Sequence, residues 1–396
     1  MFHTAVVNHL VRRTYEETTA EWTAAPFDND VKTFRLSTWA LAMLSVTGLL
    51  YFLVMTGIEY TYGTVVATLA MVEAPTSVAI IKAEVADSED PDAALLTPVE
   101  KASEKTPLAE AEFLVIKAQP ITASFRTTIR HLVAHGGRRS LLRGAKAALA
   151  FHFMHFATTR FIMFIFGRQR SLEPLAAWVA AIVLSRVNMT WTHVVISENS
   201  PKRWWLRLPS IQSARKTVPA MALWATAHQL TVLMPSILFQ NFGLTRYIED
   251  PESWGQLPGE GRIEVMNRML LVCAVGLAVE VLILLPAKVT LKRVQASQLP
   301  EEYEGIVPFD RTFGGRVVAE SAGGKGVLGL LEAWRSFDWA ARIRLVKIYL
   351  KTGAIQVAVS VLFLGLVYGE LRLIMGNALD KMVATYAEQI NSQSRT

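Results

Sequence analysis

Phe166-Gly167-Arg168-Gln169-Arg170, Phe242-Gly243-Leu244-Thr245-Arg246 and Tyr368-Gly369-Glu370-Leu371-Arg372 are three copies of one phrase, aromatic-Gly-x-x-Arg. Each closes an apolar stretch long enough to cross a bilayer. A phrase that recurs at equivalent points marks a chain built from related units. Three units are expected, each a pair of membrane helices.

The composition points to the same solvent. Of 396 residues, 52% are hydrophobic and only 19% charged, and the mean hydropathy is +0.29. That is too apolar for an ordinary soluble domain, so the lipid bilayer is the expected partner. The one cysteine, Cys273, lies in an apolar run. It excludes a disulfide framework and a cysteine metal site, and reads as small apolar filler. A net charge of +6 suits anionic lipids or solutes. The basic residues gather at helix ends rather than along one face, so no nucleic acid partner is expected. Met1-Phe2-His3 does not open a secretory signal, and Glu16, Glu17 and Glu21 argue against a cleaved organelle presequence.

Residues 1–35 read as a polar arm. Apolar runs follow over 36–58 and 61–81, the second interrupted by Glu73 and Pro75. Either 36–58 is an extra N-terminal membrane helix, giving seven spans, or the first paired helix begins near Val54 and 36–52 lies in the interface. Residues 82–122 turn to Glu, Asp, Ala, Pro and Ser, an inserted loop open to a protein partner. Phe125, Ile129, Leu132 and Val133 share one helical face, which predicts a helix on the membrane surface, ended by Gly136-Gly137. Further spans are expected over 144–166, 172–196, 218–242, 265–285 and 347–367. Lys288, Lys292 and Arg293 read as a cap on the fourth of these, and Arg203-Trp204-Trp205-Leu206-Arg207 as a headgroup-layer segment. The class is all-α integral membrane, with a tail over 376–396.

This layout resembles the mitochondrial carrier family, over roughly residues 54–375. Members have three tandem two-helix repeats, here 59–170, 171–248 and 262–375, forming a six-helix carrier bundle. The family's odd helices end in P-x-[DE]-x-x-[KR]-x-[KR]-x-Q. Pro75 and Pro286 are the matching kinks, with Arg293 and Gln295 at the right offsets after the second. The loop motif, Gly then four residues then [WY]-[RK]-G, is matched by Gly137 to Leu142-Arg143-Gly144 and by Gly329 to Trp334-Arg335-Ser336. The three opening phrases match the family's [FY]-[DE]-x-x-[RK], with Gly in place of the acid each time.

The resemblance implies ion-pair gates that open and close on alternate sides, and the sequence departs from them. The matrix acid positions hold Ser77, Trp191 and Lys288, and their basic partners Ile80, Val194 and Leu291. On the other side Arg170, Arg246 and Arg372 persist without acids. They form either an anion-attracting ring at the cavity mouth or three arginines snorkelling to the interface.

The even helices line the cavity in this family. His152, His155, Arg160, His228, Gln229 and Gln356 are therefore the substrate-binding candidates. The other reading of each is a hydrogen bond between helices. Glu73 and Glu280 near the kinks serve gating or satisfy freed backbone, with Arg186 a partner for one of them. His131 with His135 and His152 with His155 share helical faces, but no His-x-x-His-His box, catalytic triad, P-loop or dinucleotide fingerprint occurs. No enzyme, catalytic residue, metal or cofactor is expected. The expected function is transport of a small anionic solute through a central cavity in a mitochondrial membrane. The alternative is a non-transporting adaptor or scaffold, for instance in mitochondrial outer-membrane organisation.

Overall fold

The computed structural model describes residues 38–74, 79–82, 113–116, 119–167, 169–250, 252–255, 257–318 and 322–376. The N-terminal arm, the C-terminal tail, Pro75 and most of the acidic insertion lie outside them. The described residues are overwhelmingly helical. Five helices are long and apolar enough to cross a membrane, and a bent pair supplies a sixth if its halves form one span.

The first is α1, Thr38–Val72, a single element of 35 residues. The described parts of the two runs, 38–58 and 61–72, are therefore one continuous helix rather than two. Their junction is a π-helical segment, Glu59–Val66, inside α1. Gly57 precedes it and Gly63 lies within it, but each costs only about 1 kcal/mol against alanine. A loop at membrane depth would leave backbone groups unbonded at several kcal/mol each.

After α1, strands β1 (Ala79–Lys82) and β2 (Phe113–Ile116) pair antiparallel, Ala79 opposite Ile116, and bracket the insertion. Helix α2, Phe125–Gly136, starts where Ser124 accepts from Thr127 N–H and stops at Gly137, whose φ of 64° suits glycine. Helix α3 is Ala145–Ile165. Helices α4 (Glu173–Val183) and α5 (Ser185–Ile196) meet at a 60° bend. No proline lies at the bend; the nearest in this segment, Pro174, is in the first turn of α4. The bend arises at Leu184 (φ −91°, ψ 12°), where Val187 N–H bonds to Leu184 three residues back. A tightened 3₁₀ turn breaks the axis without proline.

Helix α6 is Ile211–Asn241 and carries Pro219 and Pro235 internally. Helix α7 runs Gly259–Ala296, through Pro286 rather than ending before it. A π-helical turn, Glu280–Leu284, precedes the proline. The wider turn absorbs the missing N–H and the ring's clash with the preceding carbonyl. Lys288, Lys292 and Arg293 are accordingly inside the helix, not a cap. A short α8, Leu330–Arg335, leads to α9, Trp339–Met375.

The C-terminal parts of α1, α5 and α7 pack on one another, which puts the main core at one end of the bundle. Around them α3 lies on α4 and α5, α6 joins α4 to α7, and α9 runs along α1. Ala147, Ala148, Ala176, Ala180 and Ala181 are buried on α3 and α4, and small side chains let helix backbones approach in lipid. Leu149, Phe153, Phe161 and Phe164 of α3 face outward, as does Leu364 of α9.

The loop after α7, which reads as polar, is a strap anchored to the bundle by a few buried apolar residues. Ile306 N–H bonds Ile196 O of α5 (2.9 Å), Ala74 N–H bonds Pro308 O (3.0 Å) and Glu198 N–H bonds Glu304 O (2.8 Å). His131 Nε2 of α2 lies 2.7 Å from Ile306 O. Tyr303, Ile306, Val307 and Phe313 enter the main core. The strap thus crosses beneath the ends of α1 and α5.

Candidate binding cavity

Where α5 meets α7, a polar network closes the bundle. Gln295 Nε2 donates to Asn188 Oδ1 (2.9 Å), and Thr192 Oγ1 donates to Gln295 Oε1 (2.6 Å). Lys292 Nζ donates to Thr192 Oγ1 (2.8 Å), and His193 Nε2 lies 2.8 Å from Gln295 O. A second knot lies beside it. Tyr60 donates to Arg143 O (2.8 Å) and accepts from Trp191 Nε1 (3.2 Å), while Arg143 reaches Ser140, Val194 and Ser197. Arg293 ties α7 to α1 through Met71 O (2.9 Å) and to Ser336 Oγ (2.9 Å).

From below, Arg207 donates to Ser197 Oγ (2.6 Å) and covers the Tyr303 ring, so this end of the basic-aromatic segment is buried rather than at the headgroups. Lys202 pairs with Glu302 (2.9 Å), which raises the lysine and lowers the carboxyl from their ordinary pKa values. Asp310 accepts from Gly314 N–H and Thr312, and these bonds hold it below the usual aspartate range.

Above this floor the helices carry a polar belt. Lys292, 6% exposed, sets its ammonium 4.8 Å from the Trp191 ring, and Lys288 sits 5.0 Å from the Tyr349 ring. His152 meets Trp191 edge-on at 5.6 Å and lies within electrostatic range of Lys292, His155 and His228. His228, against Trp224, is within range of Glu280 and Lys288, and Lys288 within range of Glu59. Gln356 Nε2 of α9 donates to Glu59 Oε2 of α1 (3.0 Å). Five helices, α1, α3, α6, α7 and α9, thus supply groups to this belt. Chemically it offers two ammonium groups on aromatic faces, two imidazoles and two carboxylates.

No family model, curated protein or solved structure matches the chain. The cavity is therefore interpreted on its own geometry.

Of the sequence candidates, the structure brings together His152, His228 and Gln356. His155 lies nearby, but its Nε2 is 3.0 Å from Ala177 O and ties α3 to α4. Arg160 pairs at the periphery with Glu173 (2.9 Å), both half-exposed. Gln229 is half-buried one position after His228. Pro286 lies in α7 just after its π turn, and Pro75 is outside the described residues. Glu73 is buried and accepts from Ile121 N–H (2.6 Å) and Thr122 N–H (3.1 Å), so it anchors the approach to α2. Arg186 donates to Pro209 O (2.6 Å) rather than to either glutamate.

The three arginine phrases diverge. Gly167 (φ 72°) and Gly243 (φ 65°) end α3 and α6 in the left-handed region, whereas Gly369 stays inside α9. Arg246 stacks over Tyr247 at 4.6 Å, Arg372 lies in the last turn of α9, and the Arg170 side chain is outside the described set.

Sequence reading missed Glu59, Asn188, Thr192 and Tyr349 as site residues and took Lys288 and Lys292 for a cap. One signal was present: lysines four apart share a helical face. They follow a 21-residue apolar helical run with no stop signal except a proline that a π turn absorbs. Among the described residues, no group of three or more His, Cys, Asp or Glu could hold a metal ion.

Proposed function

We propose that this chain is a divergent member of the mitochondrial carrier family, made of three tandem two-helix repeats: α1 with α3, α4–α5 with α6, and α7 with α9. The support is positional. The π segment of α1, the bend at Leu184 and the π turn of α7 each fall roughly three turns before the helix end. On this register Pro286 corresponds to Tyr62 and Arg186 rather than to Pro75. The gate positions then hold Thr64, Asn188 and Lys288, none of them an acid.

The function we infer is transport of a small anionic solute through the central cavity, in a mitochondrial membrane, inner or outer. The observation that carries it is the Lys288–Lys292 pair in the polar belt, near His152 and His228. Ammonium groups at membrane depth are retained where they face water or an anion. Purified protein in liposomes should take up one of a panel of small carboxylates and inorganic phosphate with saturation. Lys292→Ala and Lys288→Ala should each cut that uptake about tenfold, the weight of one charge-assisted hydrogen bond. No uptake by folded wild type across the panel would overturn transport.

The strap favours a second reading, a membrane adaptor. A segment bonded to two helix ends and to α2 opposes the movement that alternating access needs. On that reading wild type takes up nothing, and a protein partner binds through 82–122. Deletion of residues 83–112 should then abolish co-purification of that partner.

A further inference from the structure

A pocket away from the cavity lies at the opposite end, between the start of α1 and the end of α9. Trp39, Ala42, Met43, Val46 and Thr47 wall a space of about 340 Å³, and Glu370 supplies its polar group. Glu370 Oε1 accepts from Thr47 Oγ1, but Oε2 is buried with no hydrogen-bond partner among the described residues. A carboxylate oxygen withdrawn from water and unpaired costs several times an ordinary hydrogen bond.

The occupant's chemistry follows from the depth and the lining. Trp39 is the second residue of α1, and Glu370 lies just over a turn before the end of α9, so both lie near one end of two candidate spans, where tryptophan suits a membrane interface. The wall residues descend α1 by about two turns, roughly 12 Å along the axis, and Trp39 and Val46 are exposed. The pocket therefore needs a mainly apolar body lying along α1 and one hydroxyl or ammonium at its head. A phospholipid acyl chain has no donor and leaves Oε2 unpaired. A sterol has a single hydroxyl at the membrane interface and a rigid apolar body beneath it. Its hydroxyl can donate to the carboxylate, or accept from the carboxyl if that is protonated.

We propose that this pocket is a sterol site, with Glu370 binding the sterol hydroxyl and Trp39, Ala42, Met43 and Val46 holding the rings.

The test is photolabelling of the full-length protein in phospholipid bilayers with a clickable, diazirine-bearing sterol, mapped by mass spectrometry. Labelling should concentrate in residues 38–47 and 366–375 and fall with excess unlabelled sterol. Glu370→Leu should reduce it at least fivefold, and Glu370→Gln, whose amide oxygen can accept from Thr47 while its NH2 donates to the sterol hydroxyl, should retain it. Ala42→Phe, which fills the pocket and leaves Glu370 in place, should also abolish it. Variants are compared only where their thermal unfolding matches wild type, and Ala42→Phe carries the test if Glu370→Leu does not fold. Equal labelling of wild type and Ala42→Phe, or labelling spread evenly over all lipid-facing helices, would overturn the proposal. So would competition by an ethanolamine phospholipid but not by sterol.

Discussion

The two ends of the bundle are built differently. Where α1, α5 and α7 converge, polar side chains are bonded across helices far apart in sequence, as in Gln295 to Asn188, Arg293 to Met71 and Arg143 to Ser197. At the other end the ties are single and partly exposed: Gln356 to Glu59, Tyr51 to Ser360, Arg160 to Glu173. Buried and connected bonds cost most to break, because each loss strands a desolvated partner. Exposed single pairs are worth little. The difference teaches that one end holds the fold and the other is free to admit ligands.

The largest effect should come from Gln295→Ala, which strands Asn188 and Thr192 at the bolted end. It should cost about 3 kcal/mol, read as a lowered unfolding midpoint in detergent. A loss no greater than that of Gln356→Ala would break the comparison.

Lys292→Met should separate stability from ligand binding. Removing a buried charge while keeping its volume is often neutral or stabilising. The midpoint should hold or rise, while binding of the transported anion weakens about tenfold. A large fall in midpoint would instead show that the Lys292–Thr192 bond outweighs the cost of burying the charge.

At the open end Gln356→Ala should cost less than about 1 kcal/mol, with an unfolding midpoint close to wild type. The smallest effect belongs to the strap's pH response. Asp310 has a depressed folded-state pKa, so its contribution is fully present above the ordinary aspartate range and is lost as pH falls through the depressed value. Asp310→Asn should flatten the acid side of the stability profile slightly. An unchanged acid limb would show that the Asp310 bonds add nothing to the strap.

Much of the helix pattern is legible in the sequence because bilayer crossing leaves a long apolar record. Helix α2 is also legible, from its amphipathic face and Gly137, and so are Gly167 and Gly243 as stops. The joints are not. Proline at 286 reads as an end, yet α7 continues; no breaker marks Leu184, yet the chain bends there by 60°. Whether a helix bends or stops at such points depends on what lies beside it. The cavity was half legible: His152, His228 and Gln356 stand out as polar residues in apolar runs. Lys288 and Lys292 look like a cap until α7 is known to continue.

The sequence by itself determined that this is a helical membrane protein with apolar spans and a polar surface helix, because hydrophobicity over about 20 residues settles the solvent of a segment. Only the tertiary structure decided that 36–58 belongs to α1, that the loop after α7 is a strap, and that Lys292, Thr192, Gln295 and Asn188 form one network. Those outcomes depend on contacts between residues about a hundred positions apart, and no local pattern records which distant partner will satisfy a buried polar group.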